Sequence, residues 1–339
     1  MMDGNESLKP VKSVLISSVY YPPHVGGISK YMSSIVAALG PERVCCLTGT
    51  RAQGYSDAET QGVGVYRRPL AFVDPKCVQA VGWLAAVAEI LMKERPKAVQ
   101  LATLYEGYLG LWMRKWMGMP YVVYAHGNEV LDAIQAEWEG PRLAIRSADC
   151  VLANSHYTAD LLMRAGVSSE RIEVVHPGCD VDRFRPMEIS IEDRRSILGP
   201  HAEKKVILTV GRLVTRKGHE LVIRALPRVL KAHPETCYLI VGSGPAKPAI
   251  ASLADELGLR DKVIFWENIQ DSELLTIYNL CDVFVMPSRA DLKSCDVEGF
   301  GIVFIEANAC GKPVIAGRSG GMADAVIDGE TGILVDPDD

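Results

Sequence analysis

The stretch Asp296-Val-Glu298-Gly-Phe-Gly-Ile-Val-Phe-Ile-Glu306-Ala-Asn-Ala-Cys-Gly311 sets two carboxylates eight residues apart, across a glycine-rich loop and the start of a predicted helix. A helix that begins near Gly301 leaves Glu298 in the loop and carries Glu306 just over one turn inside. The amides and the dipole at such a helix start attract a diphosphate. Each carboxylate can accept hydrogen bonds from hydroxyl groups on one side of that diphosphate. The spacing therefore predicts a ligand that is polar throughout its length, as a sugar nucleotide is.

The segment 296–311 resembles the E-x7-E signature of retaining glycosyltransferases with the GT-B fold, in the large family 4 (glycosyl transferases group 1). Residues 300–305 are mostly apolar, so an ionised Glu306 needs a partner in its buried surroundings. The following segment 310–316 fits the short strand that the family has after this helix. The resemblance implies transfer of a hexosyl group from a GDP-mannose or UDP-glucose type of donor to a hydroxyl acceptor. That acceptor would be a lipid-linked or polysaccharide glycan, as in cell-envelope or polysaccharide biosynthesis.

Composition fits two ordinary α/β domains, because 339 residues with 48% hydrophobic side chains can bury two cores. A net charge of −6 argues against a nucleic-acid partner. The nine cysteines are scattered, which indicates reduced thiols in a cytosolic protein. The polar stretch 1–12 lacks the apolar part of a signal peptide, and the apolar stretch 81–92 is too short to span a bilayer. We expect a cytoplasmic protein, with peripheral contact at the inner face of the membrane as an open alternative.

Short β-branched runs alternate with amphipathic helical stretches, which is typical of parallel sheets covered by helices on both faces. Proline and glycine, which interrupt helices and strands, occur together in the segment 176–186. The alternation of strands and helices starts again after this segment. We predict two Rossmann-like doubly wound domains that face each other across a ligand cleft, an acceptor-binding domain at 1–185 and a donor-binding domain at 186–339. The predicted strands are 11–19, 44–48, 98–102, 121–124, 150–153 and 172–175 in the first domain, and 206–210, 238–241, 263–266, 283–286, 313–316 and 332–335 in the second.

The chain ends at Asp336-Pro-Asp-Asp339, directly after a predicted strand. Members of the family that the sequence resembles continue into further helices at this place. We therefore expect the C-terminal segment of the second domain to be missing from this sequence.

A first loop for an anion is Tyr20-Tyr-Pro-Pro-His-Val-Gly26-Gly27-Ile-Ser-Lys-Tyr31, between the first strand and its helix. The two glycines let backbone amides approach a phosphate, or they simply permit a tight turn. The resemblance implies contact of Gly26 and Gly27 with the donor diphosphate or with the acceptor.

A second loop, Gly211-Arg212-Leu-Val-Thr-Arg216-Lys217-Gly218, follows the first strand of the second domain. The resemblance implies that Arg212 and Lys217 neutralise the departing diphosphate and so stabilise the transition state. It also implies no metal ion and no cofactor other than the donor, because these cations supply the charge. Arg216 is interpreted as a surface charge.

His126 lies at the end of an apolar strand, where α/β folds place their ligands. The residue pattern alone leaves open a purely structural histidine. The resemblance implies that His126 hydrogen-bonds the transferred sugar, while the leaving phosphate takes the acceptor proton and no protein nucleophile is required. Gly242-Ser-Gly244 is either a nucleotide turn or only a tight connection.

The resemblance thus implies a set of catalytic residues and a set of donor-binding residues. The catalytic set is His126, Arg212, Lys217 and Glu298. The donor-binding set is Gly26, Gly27, Gly211, Arg212, Lys217, Gly242, Gly244, Glu298, Phe300, Gly301, Ile302, Val303 and Glu306.

Two other enzyme classes share parts of this pattern. A nicotinamide oxidoreductase needs G-x-G-x-x-G, and the third glycine is missing after Gly244. A nucleotide-sugar epimerase of the same fold would need a different set of paired acids and histidines. The segment 112–119 combines tryptophan, methionine and basic residues, which fits either a membrane-surface helix that meets a lipid acceptor or the edge of a core helix.

Overall fold

The computed structural model describes residues 14–18, 20–22, 24, 26–49, 62–68 and 76–338, without the side chains of 76–82 and 84. The polar stretch 1–12 and both ends of the first predicted strand lie outside the described residues. The chain divides into two compact units, one that runs to Val175 and one that begins at His176 and includes Ser155–Tyr157. This division falls earlier in the chain than the predicted boundary between 185 and 186. The functional domain assignment stays a prediction.

The first unit contains a seven-stranded sheet in the order β3-β2-β1-β4-β5-β6-β7, and all its neighbouring strands run parallel. Its strands are β1 Val14–Ser18, β2 Val44–Thr48, β3 Gly64–Arg67, β4 Ala98–Leu101, β5 Tyr121–Ala125, β6 Cys150–Ala153 and β7 Ile172–Val174. The helices between them in the chain are α1 Gly27–Leu39, α2 Lys76–Glu94, α3 Gly107–Met117, α4 Asn128–Gln135, α5 Glu139–Ser147 and α6 His156–Arg164.

The central strand β1 pairs with β2 and β4, and its residues Leu15 and Ile16 are completely buried. Such burial explains the continuous apolar run, since helices cover both faces of a parallel sheet. Helix α3 approaches β5 so closely that a Cβ atom at Gly110 would overlap the Tyr121 ring. Glycine is therefore required at this point of the helix for packing.

The second unit contains a six-stranded sheet in the order β10-β9-β8-β11-β12-β13, again parallel throughout. Its strands are β8 Lys205–Val210, β9 Thr236–Val241, β10 Val263–Trp266, β11 Val283–Met286, β12 Val314–Gly317 and β13 Ile333–Val335. Its helices are α7 Ile191–Leu198, α8 His219–Ala232, α9 Lys247–Glu256, α10 Leu274–Leu280, α11 Ile302–Ala309 and α12 Met322–Ala325. Three aromatic rings, those of Tyr278, Phe284 and Phe304, meet edge to face or tilted in one of its cores.

The predicted fold class, two Rossmann-like parallel sheets with helices, is confirmed. Within the described part of the chain, the predicted strands are present with ends that differ by at most two residues from the prediction, and β3 is a strand that the sequence did not predict. The eight cysteines with described surroundings are free thiols. Among the described residues, no helix combines the length and the apolar character needed to cross a membrane.

Candidate functional site

The loop and helix that carry the two glutamates have the predicted geometry. Helix α11 begins after Gly301, which has a φ of 102° and would bring any Cβ atom into the Phe304 ring. Glycine adopts this left-handed conformation without strain. Glu298 consequently lies in the loop before the helix, and Glu306 lies inside it.

Glu298 is the centre of a buried ion network. Its Oε2 atom accepts hydrogen bonds from Arg216 Nη1 at 2.7 Å and from the Lys217 ammonium group. Arg216 Nε also donates to Asp296 Oδ1 at 2.6 Å. The side chains of Arg216, Lys217 and Glu298 are only 9%, 10% and 13% exposed. The interpretation of Arg216 as a surface charge is therefore wrong, because its guanidinium group is enclosed between two carboxylates.

The network fixes the charge of Glu298. Burial alone would raise the pKa of this carboxyl group, but Lys217 and Arg216 outweigh burial and lower the pKa to about 2. Burial lowers the pKa of Lys217 below its usual value, and the attraction of Glu298 opposes that effect. Glu298 is therefore a fully ionised hydrogen-bond acceptor at neutral pH.

Glycines join the loops that follow β8 and β9. A Cβ atom at Gly242 would overlap the carbonyl oxygen of Gly211, and one at Gly244 would overlap the backbone of Leu213. Leu213 N donates to Ser243 O at 2.9 Å, and Gly211 N donates to Val241 O at 2.9 Å. These backbone contacts explain why positions 242 and 244 are glycines, since the two loops are tightly connected there. The predicted contact of Gly242 and Gly244 with a nucleotide stays a prediction.

A second glycine pair, Gly320 and Gly321, packs against the backbone of the loop that carries Glu298. Cβ atoms at Gly320 and Gly321 would overlap the carbonyl oxygens of Glu298 and Gly299. Gly321 N also donates to the Glu298 carbonyl oxygen at 2.8 Å. The backbone of Glu298 is thus held by a segment that was not predicted to belong to the site.

Glu306 has the partner that its buried position requires. Only 2% of the residue is exposed, and its Oε2 atom accepts a hydrogen bond of 2.6 Å from the Tyr278 hydroxyl group. Burial, together with the charge and hydrogen bond of Glu306, raises the pKa of Tyr278 well above its usual value. Tyr278 is therefore a permanent donor to Glu306. The predicted role of Glu306 at a ribose stays a prediction.

The remaining donor-site candidates of the second unit differ in exposure. Arg212 is exposed, and within the described part of the chain its side chain forms no ion pair. The Lys217 side chain passes over Gly211, whose Cβ position lies 3.8 Å from Lys217 Cε. Phe300 is buried and stacks on the His176 ring. Ile302 and Val303 are half-buried in the first turn of α11, where amides lack partners within the helix.

The first unit holds His126 at the end of β5. Its Nε2 atom lies 2.8 Å from the carbonyl oxygen of Ala102, which can only accept, so Nε2 carries a proton and Nδ1 is the acceptor of the neutral ring. Its backbone amide donates to the buried Glu129 carboxylate at 2.7 Å. These hydrogen bonds fix the orientation of the His126 ring, but they do not show which ligand it would contact. The catalytic role of His126 stays a prediction.

Gly26 and Gly27 lie where α1 begins. Gly26 has a φ of 155°, and the His24 ring, at 4.0 Å, is the nearest described group to its Cβ position. Among the described residues, no group approaches the Gly26 Cβ position as closely as backbone atoms approach those of Gly242 and Gly244. The predicted contact with a diphosphate or an acceptor stays a prediction.

Arg216, Asp296, Tyr278 and the pair Gly320-Gly321 contact the site residues but were not among the predicted site residues. A signal was available for two of them. Asp296 lies two residues before Glu298, and Arg216 is adjacent to Lys217, so two carboxylates and two cations were present in two predicted ligand loops. The pairing itself depends on tertiary structure.

Comparison with known proteins identifies the family. Residues 190–339 match the family described as Glycosyl transferases group 1, and residues 25–183 match Glycosyltransferase Family 4. A GDP-mannose-dependent alpha-(1-6)-phosphatidylinositol monomannoside mannosyltransferase of Mycolicibacterium smegmatis is 33% identical over 94% of this chain and 84% of that protein. A D-inositol 3-phosphate glycosyltransferase of Rhodococcus jostii is 30% identical over 92% of this chain and 74% of that protein.

Solved structures agree on the fold. Anabaena HepE in complex with UDP and glucose has a TM-score of 0.74 and 24% identity, over 96% of this chain and 86% of that chain. Sucrose-phosphate synthase from Thermosynechococcus elongatus has a TM-score of 0.76 and 25% identity, over 97% of this chain and 86% of that chain. The two parallel-sheet domains therefore have the GT-B fold of glycosyltransferases. The chain belongs to the group 1 glycosyltransferases of family 4, and it is a glycosyltransferase with a nucleotide-sugar donor. This membership decides against the epimerase and the oxidoreductase.

Proposed function

We propose that this protein transfers a mannosyl group from GDP-mannose to a hydroxyl group of a glycosylated phosphoinositol lipid, with retention of anomeric configuration and without a metal ion. The names of the similar mannosyltransferases support this donor and this acceptor. A UDP-glucose type of donor, as in the Anabaena complexes, is the alternative. Membership of the family defines only a glycosyltransferase with a nucleotide-sugar donor.

The observation that carries the proposal is the ion network of Glu298 beside the start of α11. The buried Lys217 ammonium group and a helix start can hold a diphosphate, and the ionised Glu298 carboxylate beside them can accept hydrogen bonds from sugar hydroxyl groups. Arg212 is exposed near Lys217, which adds a third positive charge to the loop after β8. This arrangement suits a ligand with an anionic centre and a polyhydroxylated end.

The proposed reaction uses charge rather than a protein nucleophile. The acceptor oxygen bonds to the anomeric carbon on the face from which the diphosphate departs, and the carbon–oxygen bond to that diphosphate breaks. The acceptor proton passes to the departing phosphate oxygen. In this scheme Lys217 and Arg212 stabilise the growing negative charge, and Glu298 accepts from the sugar hydroxyl groups.

Calorimetric titration with GDP, UDP, ADP and NAD, in a buffer that contains a metal chelator, tests the donor. We expect GDP to bind at least about tenfold more tightly than UDP and ADP, a difference of about 1.4 kcal/mol. NAD should give no heat of binding. The titration is then repeated with the sugar conjugate of the nucleotide that binds.

The other outcomes of this titration are equally informative. Preference for UDP would replace GDP-mannose by the alternative donor. Binding that appears only after a divalent cation is added would contradict the proposed metal independence. A protein that binds NAD alone would contradict the whole proposal.

An aromatic stripe on α3 supports contact with a lipid surface. Tyr108, Trp112 and Trp116 follow one another at four-residue spacing and are 58%, 37% and 68% exposed. The Lys115 ammonium group lies 5.2 Å from the centre of the Trp116 ring. Helices that lie at an anionic membrane surface typically carry exposed tryptophan and tyrosine beside basic residues. We propose peripheral contact with the inner face of the membrane through this stripe.

Replacement of both Trp112 and Trp116 by serine should reduce binding to vesicles that contain anionic phospholipid by about tenfold, because two interfacial aromatic rings are lost. Cosedimentation with vesicles measures the effect. The matched control is Met92→Ser, which removes an exposed apolar side chain from α2 of the same unit. Equal loss in the control, or equal binding of the native protein to neutral vesicles, would contradict the proposed surface.

A further inference from the structure

Arg216 and Lys217 share one oxygen atom of Glu298 but are held very differently. The Arg216 guanidinium group is fixed at two points, since Nε donates to Asp296 Oδ1 at 2.6 Å and Nη1 donates to Glu298 Oε2 at 2.7 Å. Its planar guanidinium group presents these donors in a rigid fork. Lys217 holds Glu298 through an ammonium group on a flexible stem.

The proposed donor site gives Lys217 a second partner. A diphosphate would attract the Lys217 ammonium group away from Glu298. The Glu298 side chain is only 13% exposed, so water cannot take the place of this cation. A buried carboxylate that loses its partners is strongly destabilised and takes up a proton instead. A protonated Glu298 would be a weaker acceptor for sugar hydroxyl groups. A cation that stays with Glu298 prevents this protonation.

We propose that Arg216, clamped by Asp296, is a positioning residue that keeps Glu298 ionised and in place when Lys217 turns to the donor diphosphate. This inference rests on the proposed donor site. Around the Glu298 carboxylate, the charged groups of the described residues are Lys217 and Arg216, with Asp296 beyond Arg216 and Arg212 beyond Lys217. None of these other groups can replace the guanidinium group, because Arg212 is exposed and Asp296 is negative.

Proton uptake on nucleotide binding tests this role. In Arg216→Gln, the departure of Lys217 leaves Glu298 without a cation, so binding of a nucleoside diphosphate should take up as much as one additional proton. Titrations in buffers of different ionisation enthalpy measure that number at pH 6 to 7. The same variant should bind the nucleotide sugar roughly 30-fold less tightly than the native protein, or weaker still.

Three further variants make the result specific. Arg289→Gln is the matched control, because Arg289 also forms an ion pair in the second unit, with Glu220 at 2.5 Å. It should take up the same number of protons as the native protein. Arg216→Lys keeps a charge and should restore part of the affinity, and it serves if Arg216→Gln does not fold. In Arg216→Gln combined with Glu298→Gln, the additional proton uptake should disappear.

The outcomes separate this inference from the proposed function. No additional proton in Arg216→Gln, with a native protein that binds the nucleotide, would overturn the role of Arg216 alone. A proton uptake that persists in the double variant would also overturn it, because Glu298 would not be the group that titrates. A native protein that binds no nucleoside diphosphate would overturn the donor site, and this inference with it.

Discussion

Replacement of Glu298 by glutamine should weaken binding of the nucleotide sugar by roughly 30-fold while free nucleoside diphosphate binds at least as tightly as before. The amide cannot retain the two cations as the carboxylate does, so Lys217 and Arg216 become available to the diphosphate. Their loss of a partner should also lower the free energy of unfolding by about 3–5 kcal/mol. Calorimetry with both ligands and thermal melting measure these effects. Glu298→Ala should give the same pattern.

The diphosphate should partly compensate for this loss of stability. Because it supplies the negative charge that the variant lacks, it should raise the melting temperature of Glu298→Gln more than that of the native protein. A variant that loses the free diphosphate together with the sugar conjugate would contradict the assignment of Glu298 to the sugar.

The same network makes stability depend on pH. The pKa of Glu298 in the folded protein is about 2, below its usual value of 4.5, so its contribution to stability is complete above pH 4.5 and is lost as pH falls towards 2. The native protein should therefore lose more stability than Glu298→Gln over this range.

Replacement of Lys217 by methionine should reduce the rate of sugar transfer by about 10²–10³-fold, the usual effect of removing a group that stabilises developing charge. Methionine keeps an unbranched side chain that is one heavy atom shorter than lysine, and Arg216 continues to neutralise Glu298, so the variant should fold. The effect should fall mainly on kcat. Steady-state kinetics with the donor identified by titration measures it.

The matched control for Lys217 is Lys247→Met. Lys247 also forms an ion pair in the second unit, with Glu267, but lies outside the network of Glu298. Its replacement should change the rate by less than about threefold, within the range of an exposed ion pair. If Lys217→Met retains activity within tenfold of this control, Lys217 is only a buried structural cation.

Much of the fold could be predicted because parallel strands buried on both faces are continuous apolar runs, as in Val44–Thr48 and Val206–Val210. Strand β3, Gly64–Arg67, was missed since it has four residues and begins with glycine at the edge of the sheet. Neither length nor composition distinguishes such a segment from a loop.

The candidate site was predictable where the residues that define it are close in sequence. Glu298, Gly301 and Glu306 are related by helix geometry, which the sequence determines. The pairing of Arg216 with Asp296 and Glu298 spans 80 and 82 residues, and no periodicity relates such positions. The same limit applies to Tyr278 and Glu306, which are 28 residues apart.

The glycines that join the loops after β8 and β9 also matter for protein engineering. Gly242 and Gly244 pack directly on the backbone of Gly211 and Leu213, so a side chain at either glycine would separate the loops instead of reshaping a binding surface. A library intended to change which nucleotide sugar is accepted should keep these glycines unchanged. Its diversity belongs at neighbouring positions that carry side chains.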